Sequence, residues 1–205
     1  AEGGRLRRIA ERTAGSFGAF YCDQTGGLVD RLRSAREGGG VDRAIRPNMV
    51  IAAALRAAPL DRARRQRVVD LCRTHLLTPY GLRTLAPSDP DYQGRYEGTM
   101  PQRDRAYHQG TVWPWLLGFM VEAHLRSSEH DPASRTTART WLQPLAAELN
   151  SAGLGQLSEV YDGDLPHRPN GCPAVPSRPT RTTSQRLAHT HGPSLRKAGI
   201  SVSYT

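Results

Sequence analysis

The sequence predicts an all-α fold built from helical hairpins, and two observations lead to this prediction. Segments that are apolar on nearly all faces, as in buried helices, alternate with amphipathic segments that carry a single apolar stripe. The links from a buried to an amphipathic helix are short, whereas the opposite links are long and rich in Gly and Pro. This alternation predicts two layers of antiparallel helices, arranged either as a solenoid or as a toroid.

Five helices are predicted, and they alternate between an outer and an inner layer. In chain order they are 3–20 (outer), 47–58 (inner), 61–76 (outer), 112–126 (inner) and 131–149 (outer). Pro47 suits the first position of a helix, where its missing N–H needs no partner. Asp61 and Asp131 are predicted N-caps, because a carboxylate accepts hydrogen bonds from the free N–H groups of a first turn. Pro144 predicts a kink in the last helix.

The composition is that of a cytoplasmic globular protein with a core of its own. The 205 residues are 38% hydrophobic, and no apolar stretch reaches the roughly 18 residues that a membrane span needs. The N-terminus lacks the apolar region of a secretory signal. Cys22, Cys72 and Cys172 are far apart and show no Cys-x-x-Cys spacing, so neither a disulfide framework nor a metal site is expected.

The net charge of +9 raises the alternative of an Arg-rich nucleic-acid binder, but its distribution argues against one. Residues 175–205 contain four Arg, one Lys and no acidic residue, so they carry +5 of this charge. The remaining charge is spread over the rest of the chain, which holds the acidic residues, and forms no stripe. We therefore expect a folded domain over 1–174, a disordered basic tail over 175–205, and neither nucleic acid nor a membrane as partner.

The long links gather on one face of the helical layers, and the polar clusters lie in them. One cluster consists of Tyr107, His108, Gln109, Trp113 and Trp115, around the start of the second inner helix. Aromatic faces stack on the C–H face of a sugar while amide and imidazole groups bind its hydroxyls, so the whole cluster favours a carbohydrate site. For the two Trp residues alone, ordinary core packing is the stronger interpretation.

Glycoside hydrolysis needs two carboxyl groups, of which one is an acid and the other a base or nucleophile. The acidic residues in the long links are Asp89, Asp91, Glu97, Asp104, Glu159, Asp162 and Asp164. Glu159 is the best candidate because it follows a Gly-rich turn, whereas Asp162 precedes a glycine and resembles a turn residue. Arg46, Asn48 and Arg83 are placed to reach the same cleft, either to bind sugar hydroxyls or to join loops by ion pairs.

Four motifs together resemble the C-terminal amylo-α-1,6-glucosidase domain of glycogen debranching enzymes, from about residue 5 to about residue 174. They are "LLTPYGLRTLAPSDPDYQGRYEG", "RDRAYHQGTVWPWLLG", "LSEVYDGDLPHRPNGCPA" and "RPN" at 46–48. The resemblance implies an (α/α) toroid of the six-hairpin glycosidase type. The implied activity is hydrolysis of α-1,6-linked glucose at branch points of glycogen or another branched α-glucan. The resemblance also implies inversion without metal or organic cofactor, Glu159 as general base, and a glucose-binding wall at Tyr107–Trp113.

The sequence departs from the family pattern at three places. Met49 stands where the family usually has Gln, the upstream Trp-Met-Asp segment that holds the family's general acid has no counterpart, and the basic tail replaces a closing helix. We expect an incomplete toroid whose inner helices expose apolar faces, with the missing N-terminal part of the enzyme as a partner. The isolated chain is then expected to be marginally folded and inactive. The alternative function is a non-catalytic carbohydrate-binding fragment.

Overall fold

The computed structural model describes residues 2–151 and 155–172, and the predicted basic tail at 175–205 lies outside these ranges. Within them the chain forms six α-helices. The helices are α1 (Glu2–Phe17), α2 (Asn48–Ala54), α3 (Arg62–His75), α4 (Met100–Tyr107), α5 (Leu116–Ser127) and α6 (Pro132–Glu148). None of these helices is long and apolar enough to span a bilayer.

Two of the predicted helix starts are confirmed. Asp61 Oδ1 accepts a hydrogen bond from the N–H of Arg64 at 2.7 Å, and Asp131 Oδ1 accepts one from the N–H of Ser134 at 2.7 Å. Each bond satisfies a first-turn donor that the helix itself cannot pair. Helix α6 continues through Pro144 without ending there.

Helix α5 lies at the centre of the helical core and packs against α2, α3 and α6. Six of its apolar side chains are at most 3% exposed: Leu116, Leu117, Met120, Val121, Ala123 and Leu125. The expectation that the inner helices expose apolar faces is therefore wrong for α5, because its neighbours cover it. In α2, Val50 and Ala53 are fully buried, and Leu55 just beyond the helix is 54% exposed.

The helical core is confirmed, but the fold is not all-α, because the predicted loops contain short β-strands. Two antiparallel hairpins pair β1 (Tyr21–Cys22) with β2 (Gly27–Leu28), and β3 (Arg31–Leu32) with β4 (Val41–Asp42). A five-stranded antiparallel sheet runs in the order β5 (Leu77–Thr78), β6 (Gly81–Arg83), β7 (Val112–Trp113), β8 (Val160–Tyr161), β9 (Pro169–Asn170). Strands of two or three residues are too short to show the alternation that identifies a strand in a sequence.

Strand β7 also shortens the second inner helix, which was predicted over 112–126 and begins at Leu116. Pro114 separates the strand from the helix, and a proline without an N–H is best accommodated just before or in the first turn, where α5 begins. The cluster that was placed at the mouth of one helix is therefore distributed over the end of α4, β7 and the start of α5.

Helix α4 lies in a link that was predicted to be a loop. Its start is capped by Gln102, whose Oε1 accepts hydrogen bonds from the N–H of Thr99 at 2.7 Å and from its hydroxyl at 2.8 Å. This cap from the Gln102 side chain stabilises a short helix that has little periodicity of its own. Arg103 and Tyr107 are four residues apart on α4 and so share one face of it.

The five-stranded sheet brings the long links together. Leu82 of β6 lies opposite Trp113 of β7, and Val112 lies opposite Tyr161 of β8. Strand β9 continues the sheet beyond β8. The residue before β8, Glu159, therefore lies beside the segment that joins α4 to α5.

Candidate active site

The carboxylate of Glu159 is held by hydrogen bonds to both of its oxygens. The Tyr107 hydroxyl donates to Oε1 at 2.5 Å, and the N–H of Cys172 donates to Oε2 at 2.9 Å. The N–H of Glu159 donates in turn to the carbonyl of Cys172 at 3.0 Å. The end of α4 and the segment after β9 thus fix the carboxylate from two sides.

Glu159 lines a cavity of about 590 Å³. The other lining residues are Tyr96, Arg103, Pro169, Asn170, Gly171 and Cys172. This volume falls in the range of about 300–1,000 Å³ that is typical of small-molecule sites. No hydrogen bond or ion pair of the Arg103 guanidinium is formed within the part of the chain that the structure describes.

Tyr107, His108 and Trp113 form an aromatic cluster beside Glu159. The Tyr107 ring packs edge to face against Trp113 and His108, with ring centroids 4.5 and 5.0 Å apart. The His108 ring lies parallel to the Trp113 ring, with centroids 6.0 Å apart. Trp113 Nε1 donates to the carbonyl of Tyr107 at 3.0 Å. The structure therefore brings these three predicted residues together with Glu159, and their contact with a sugar stays a prediction.

Burial in this cluster raises the pKa of Tyr107 above its ordinary range, and the hydrogen bond to Glu159 raises it further. Both effects oppose loss of the phenolic proton, since a phenolate would be poorly solvated and would lie against a carboxylate. Tyr107 consequently stays protonated and keeps the O–H that it donates to Glu159.

Arg46 joins three links of the chain. Its Nη1 donates to the carbonyls of Thr84 at 3.2 Å and His108 at 2.7 Å, and its Nη2 donates to Gln109 Oε1 at 2.6 Å. Its Nε lies 3.8 Å from Asp30 Oδ2. Of the two interpretations left open for Arg46, the geometry supports the joining of loops.

Asn48, Arg83 and Trp115 do not line the Glu159 cavity. Asn48 donates to Asp30 Oδ1 at 2.7 Å and faces a separate cavity of about 170 Å³ with mostly apolar walls. Arg83 Nε donates to the carbonyl of Gly163 at 2.9 Å, and Trp115 packs against other aromatic rings. The expectation that Asn48 and Glu159 share one hollow is wrong.

Asp162 is a structural carboxylate, in line with its interpretation as a turn residue. It is 2% exposed, and its Oδ1 accepts hydrogen bonds from the N–H of Tyr96 and from Asn170 Nδ2, each at 2.9 Å. Its Oδ2 forms an ion pair with Arg95 at 3.3 Å. Asp162 therefore fixes two cavity-lining residues, Tyr96 and Asn170, rather than facing a ligand itself.

Sequence reasoning missed Tyr96, Arg103 and Asn170 as cavity residues. The Thr-x-x-Gln pattern before Arg103 is a local signal for a helix start and could have indicated α4. Tyr96 and Asn170 are held at the cavity by hydrogen bonds to Asp162. Tyr96 and Asp162 are 66 residues apart, so their hydrogen bond leaves no local pattern in the sequence. Of the acidic residues that the structure describes, Glu159 alone lines this cavity. Within the described ranges, no group of three or more His, Cys, Asp or Glu residues is arranged so that it could hold a metal ion.

The long motifs agree with a comparison against protein families. The profile described as "Amylo-alpha-1,6-glucosidase" matches residues 3–175. The chain belongs to this family. The description of the family is that of a glycoside hydrolase domain.

A curated relative with a related description is the glycogen debranching enzyme of Saccharomyces cerevisiae. It is 32% identical to this chain over 88 residues, which make up 40% of this chain and 6% of the relative. The chain thus matches a small part of a much longer enzyme, whose name describes that enzyme as a whole.

Proposed function

We propose that this chain provides the general base, Glu159, of a glycogen-debranching glucosidase that hydrolyses α-1,6-linked glucose, and that it is inactive on this natural linkage unless another segment or chain supplies the general acid. The observation that carries the proposal is the position of Glu159, the residue to which the family motif assigns this role. It lines a 590 Å³ cavity, and two hydrogen bonds orient its carboxylate. A carboxylate in this position can activate a water molecule beside a bound sugar.

The proposed step transfers two protons. Glu159 removes a proton from water as the water oxygen attacks the anomeric carbon, and the bond from that carbon to the leaving oxygen breaks. The leaving oxygen keeps the bonding electron pair and takes a proton from a general acid, which the described residues of the cavity wall do not supply. Each carboxylate oxygen has two lone pairs, so both Glu159 oxygens keep acceptor capacity beyond the bonds to Tyr107 and Cys172. Attack on the opposite face of the sugar converts an α-glucoside into β-glucose.

Arg103 and Tyr96 are the proposed sugar contacts from the cavity wall, and His108 and Trp113 extend the aromatic surface beside them. The Arg103 donors suit sugar hydroxyls, and a Tyr ring suits the C–H face of a pyranose. Arg46, Gln109, Asn48, Arg83 and Trp115 are proposed to support the substrate through the loops that they hold. The helical core is proposed to be part of an (α/α) toroid, which its α2–α3 and α5–α6 hairpins support.

Fluoride release from α-D-glucosyl fluoride tests the base directly, because fluoride leaves without needing an acid to protonate it. We expect the Glu159→Gln variant to release fluoride at least ~100-fold more slowly than the wild type, the loss typical of a missing general base. Glu97→Gln is the matched control, since Glu97 is exposed and does not line the cavity. Equal rates in the wild type and Glu159→Gln would contradict the assignment.

A second candidate function is carbohydrate binding without catalysis, and one observation favours it. Hydrolysis of a natural glycoside needs two carboxyl groups. Among the described residues on the cavity wall, Glu159 is the sole carboxylate. Co-sedimentation with glycogen, without release of fluoride from α-D-glucosyl fluoride or of glucose from a branched dextrin, would support binding alone.

A further inference from the structure

Tyr107 contacts Glu159 but is not among the residues that line the cavity. The residues of the cavity wall include Tyr96 and Arg103 but not Tyr107. Tyr107 follows Arg103 by one turn of α4, so the helix presents one side chain to the cavity and the other to the carboxylate. The family motif groups Tyr107 with a glucose-binding wall, and the geometry indicates a different role.

The ring of Tyr107 is already in contact with neighbouring rings. Trp113 and His108 pack edge to face against it, with ring centroids 4.5 and 5.0 Å from its own. The Tyr96 ring is tilted against it, with a centroid distance of 5.7 Å. Its polar atoms are occupied as well, since the hydroxyl donates to Glu159 and the carbonyl accepts from Trp113 Nε1. A sugar ring that stacked on Tyr107 would have to share its ring with these three neighbours.

We propose that Tyr107 is a positioning residue that orients the Glu159 carboxylate, and not a residue that contacts the sugar. Its hydroxyl holds Oε1 at 2.5 Å, a length typical of a hydroxyl bonded to a carboxylate, while the Cys172 N–H holds Oε2. With both oxygens fixed, the carboxylate cannot rotate, and its free lone pairs keep one direction relative to the cavity. This inference rests on the proposed role of Glu159 as the base.

The titratable and charged groups around this pair come from three segments. Arg103 and His108 come from α4 and its C-terminal end, Tyr96 comes from the link before α4, and the Cys172 thiol comes from the segment after β9. Arg103 does not form an ion pair with Glu159. The hydrogen bond from Tyr107 is therefore the side-chain contact that orients Glu159 in this part of the molecule.

Tyr107→Phe keeps the ring and removes the hydroxyl, so it separates positioning of Glu159 from a hydrogen bond between the Tyr107 hydroxyl and the sugar. We expect kcat for α-D-glucosyl fluoride to fall about tenfold while KM changes less than about twofold, as for an interaction that acts on the reacting geometry. Tyr21→Phe is the matched control, since the Tyr21 hydroxyl accepts a hydrogen bond from Arg67 at 3.3 Å and Tyr21 does not line the cavity. A raised KM with unchanged kcat would show that Tyr107 contacts the sugar and would overturn the proposal.

The contact itself can be measured without any enzymatic activity, by NMR titration of tyrosine labelled with ¹³C at Cζ. The Tyr107 resonance, assigned by its loss in Tyr107→Phe, is expected to titrate above the range of an exposed tyrosine. Glu159→Gln should lower the pKa of Tyr107, because it removes the negative charge beside the hydroxyl. An ordinary pKa for Tyr107 in the wild type, or no change in Glu159→Gln, would overturn the proposal.

Failure of the proposed function and failure of this inference give different results. If the wild type releases no fluoride, the base assignment fails, and the NMR titration still decides whether Tyr107 holds Glu159. Glycogen co-sedimentation then decides the role of Tyr107 in binding. Unchanged retention of Tyr107→Phe supports a positioning role, and retention lowered about tenfold or more shows a sugar contact.

Discussion

Gly171 determines where Glu159 can lie. Its φ is +72°, in the left-handed region that side chains disfavour, and a Cβ added there would lie 2.6 Å from Glu159 Oε2 and 3.0 Å from Glu159 Cβ. The cavity wall therefore needs a glycine both for its backbone conformation and for space. The position follows directly on β9 and precedes Cys172, whose N–H bonds the same carboxylate.

Gly171→Ala should displace the Glu159 carboxylate and lower fluoride release from α-D-glucosyl fluoride at least about tenfold, because a small misplacement of a catalytic group is costly. Gly39→Ala is a matched control, with a similar φ of +69° and nothing within 4 Å of the added Cβ. Both variants should lose roughly 1–2 kcal/mol of unfolding free energy in urea from the left-handed backbone. Equal activity of the two variants would contradict this account of Gly171.

At the same scale, the sequence predicts which residue types form the site better than it predicts which residues meet. Glu159 and the cluster of Tyr107, His108 and Trp113 are together as expected. Asn48 is not, because Asp30 binds its side chain and orients it towards another cavity. A partner such as Asp30, 18 residues away in an irregular link, leaves no spacing pattern in the sequence.

At the scale of elements, α4 connects local sequence to the site. Its cap at Thr99 and Gln102 starts a helix of eight residues that carries both Arg103 and Tyr107. A helix this short is marginal by itself, so its cap and its tertiary contacts hold it in place. Loosening its first turn should move Arg103, which lines the cavity, more than Tyr107, which the aromatic cluster holds.

Thr99→Ala should therefore raise KM for α-D-glucosyl fluoride by a few-fold and lower the unfolding free energy by about 1 kcal/mol, the usual loss for a removed N-cap. The control is Thr136→Ala, which removes an exposed hydroxyl that bonds to the carbonyl of Pro132 inside α6. Steady-state kinetics and urea denaturation measure the two effects. A KM that stays unchanged in Thr99→Ala would show that α4 is held without its cap.

Helix caps with a local chemical cause could be predicted from the sequence, and strands formed by distant pairing could not. Asp61 and Asp131 cap helices within three residues of themselves, so their patterns are visible. The pairing of Val112 with Tyr161 joins segments far apart in sequence, and β7 contains only two residues. Such strands depend on the packing of the helices on either side, which no short window of sequence contains.

At the scale of the whole molecule, the helices supply the core and the sheet supplies the site. Helix α5 is covered by its neighbours, whereas α1 buries none of its side chains and leaves Leu6 and Ile9 exposed by 59% and 47%. The five-stranded sheet ties the link before α4 to the segments around β8 and β9. A rigid scaffold below irregular segments is the usual arrangement for a site that must hold groups in fixed positions.

Glu159 is proposed to activate a water molecule against a sugar held in the 590 Å³ cavity. The decisive observation is the anomer of the first glucose released from α-D-glucosyl fluoride, followed by ¹H NMR before the anomers equilibrate. We expect β-glucose from the wild type and none above the spontaneous background from Glu159→Gln. Release of α-glucose, or β-glucose at the same rate from both proteins, would contradict this role of Glu159.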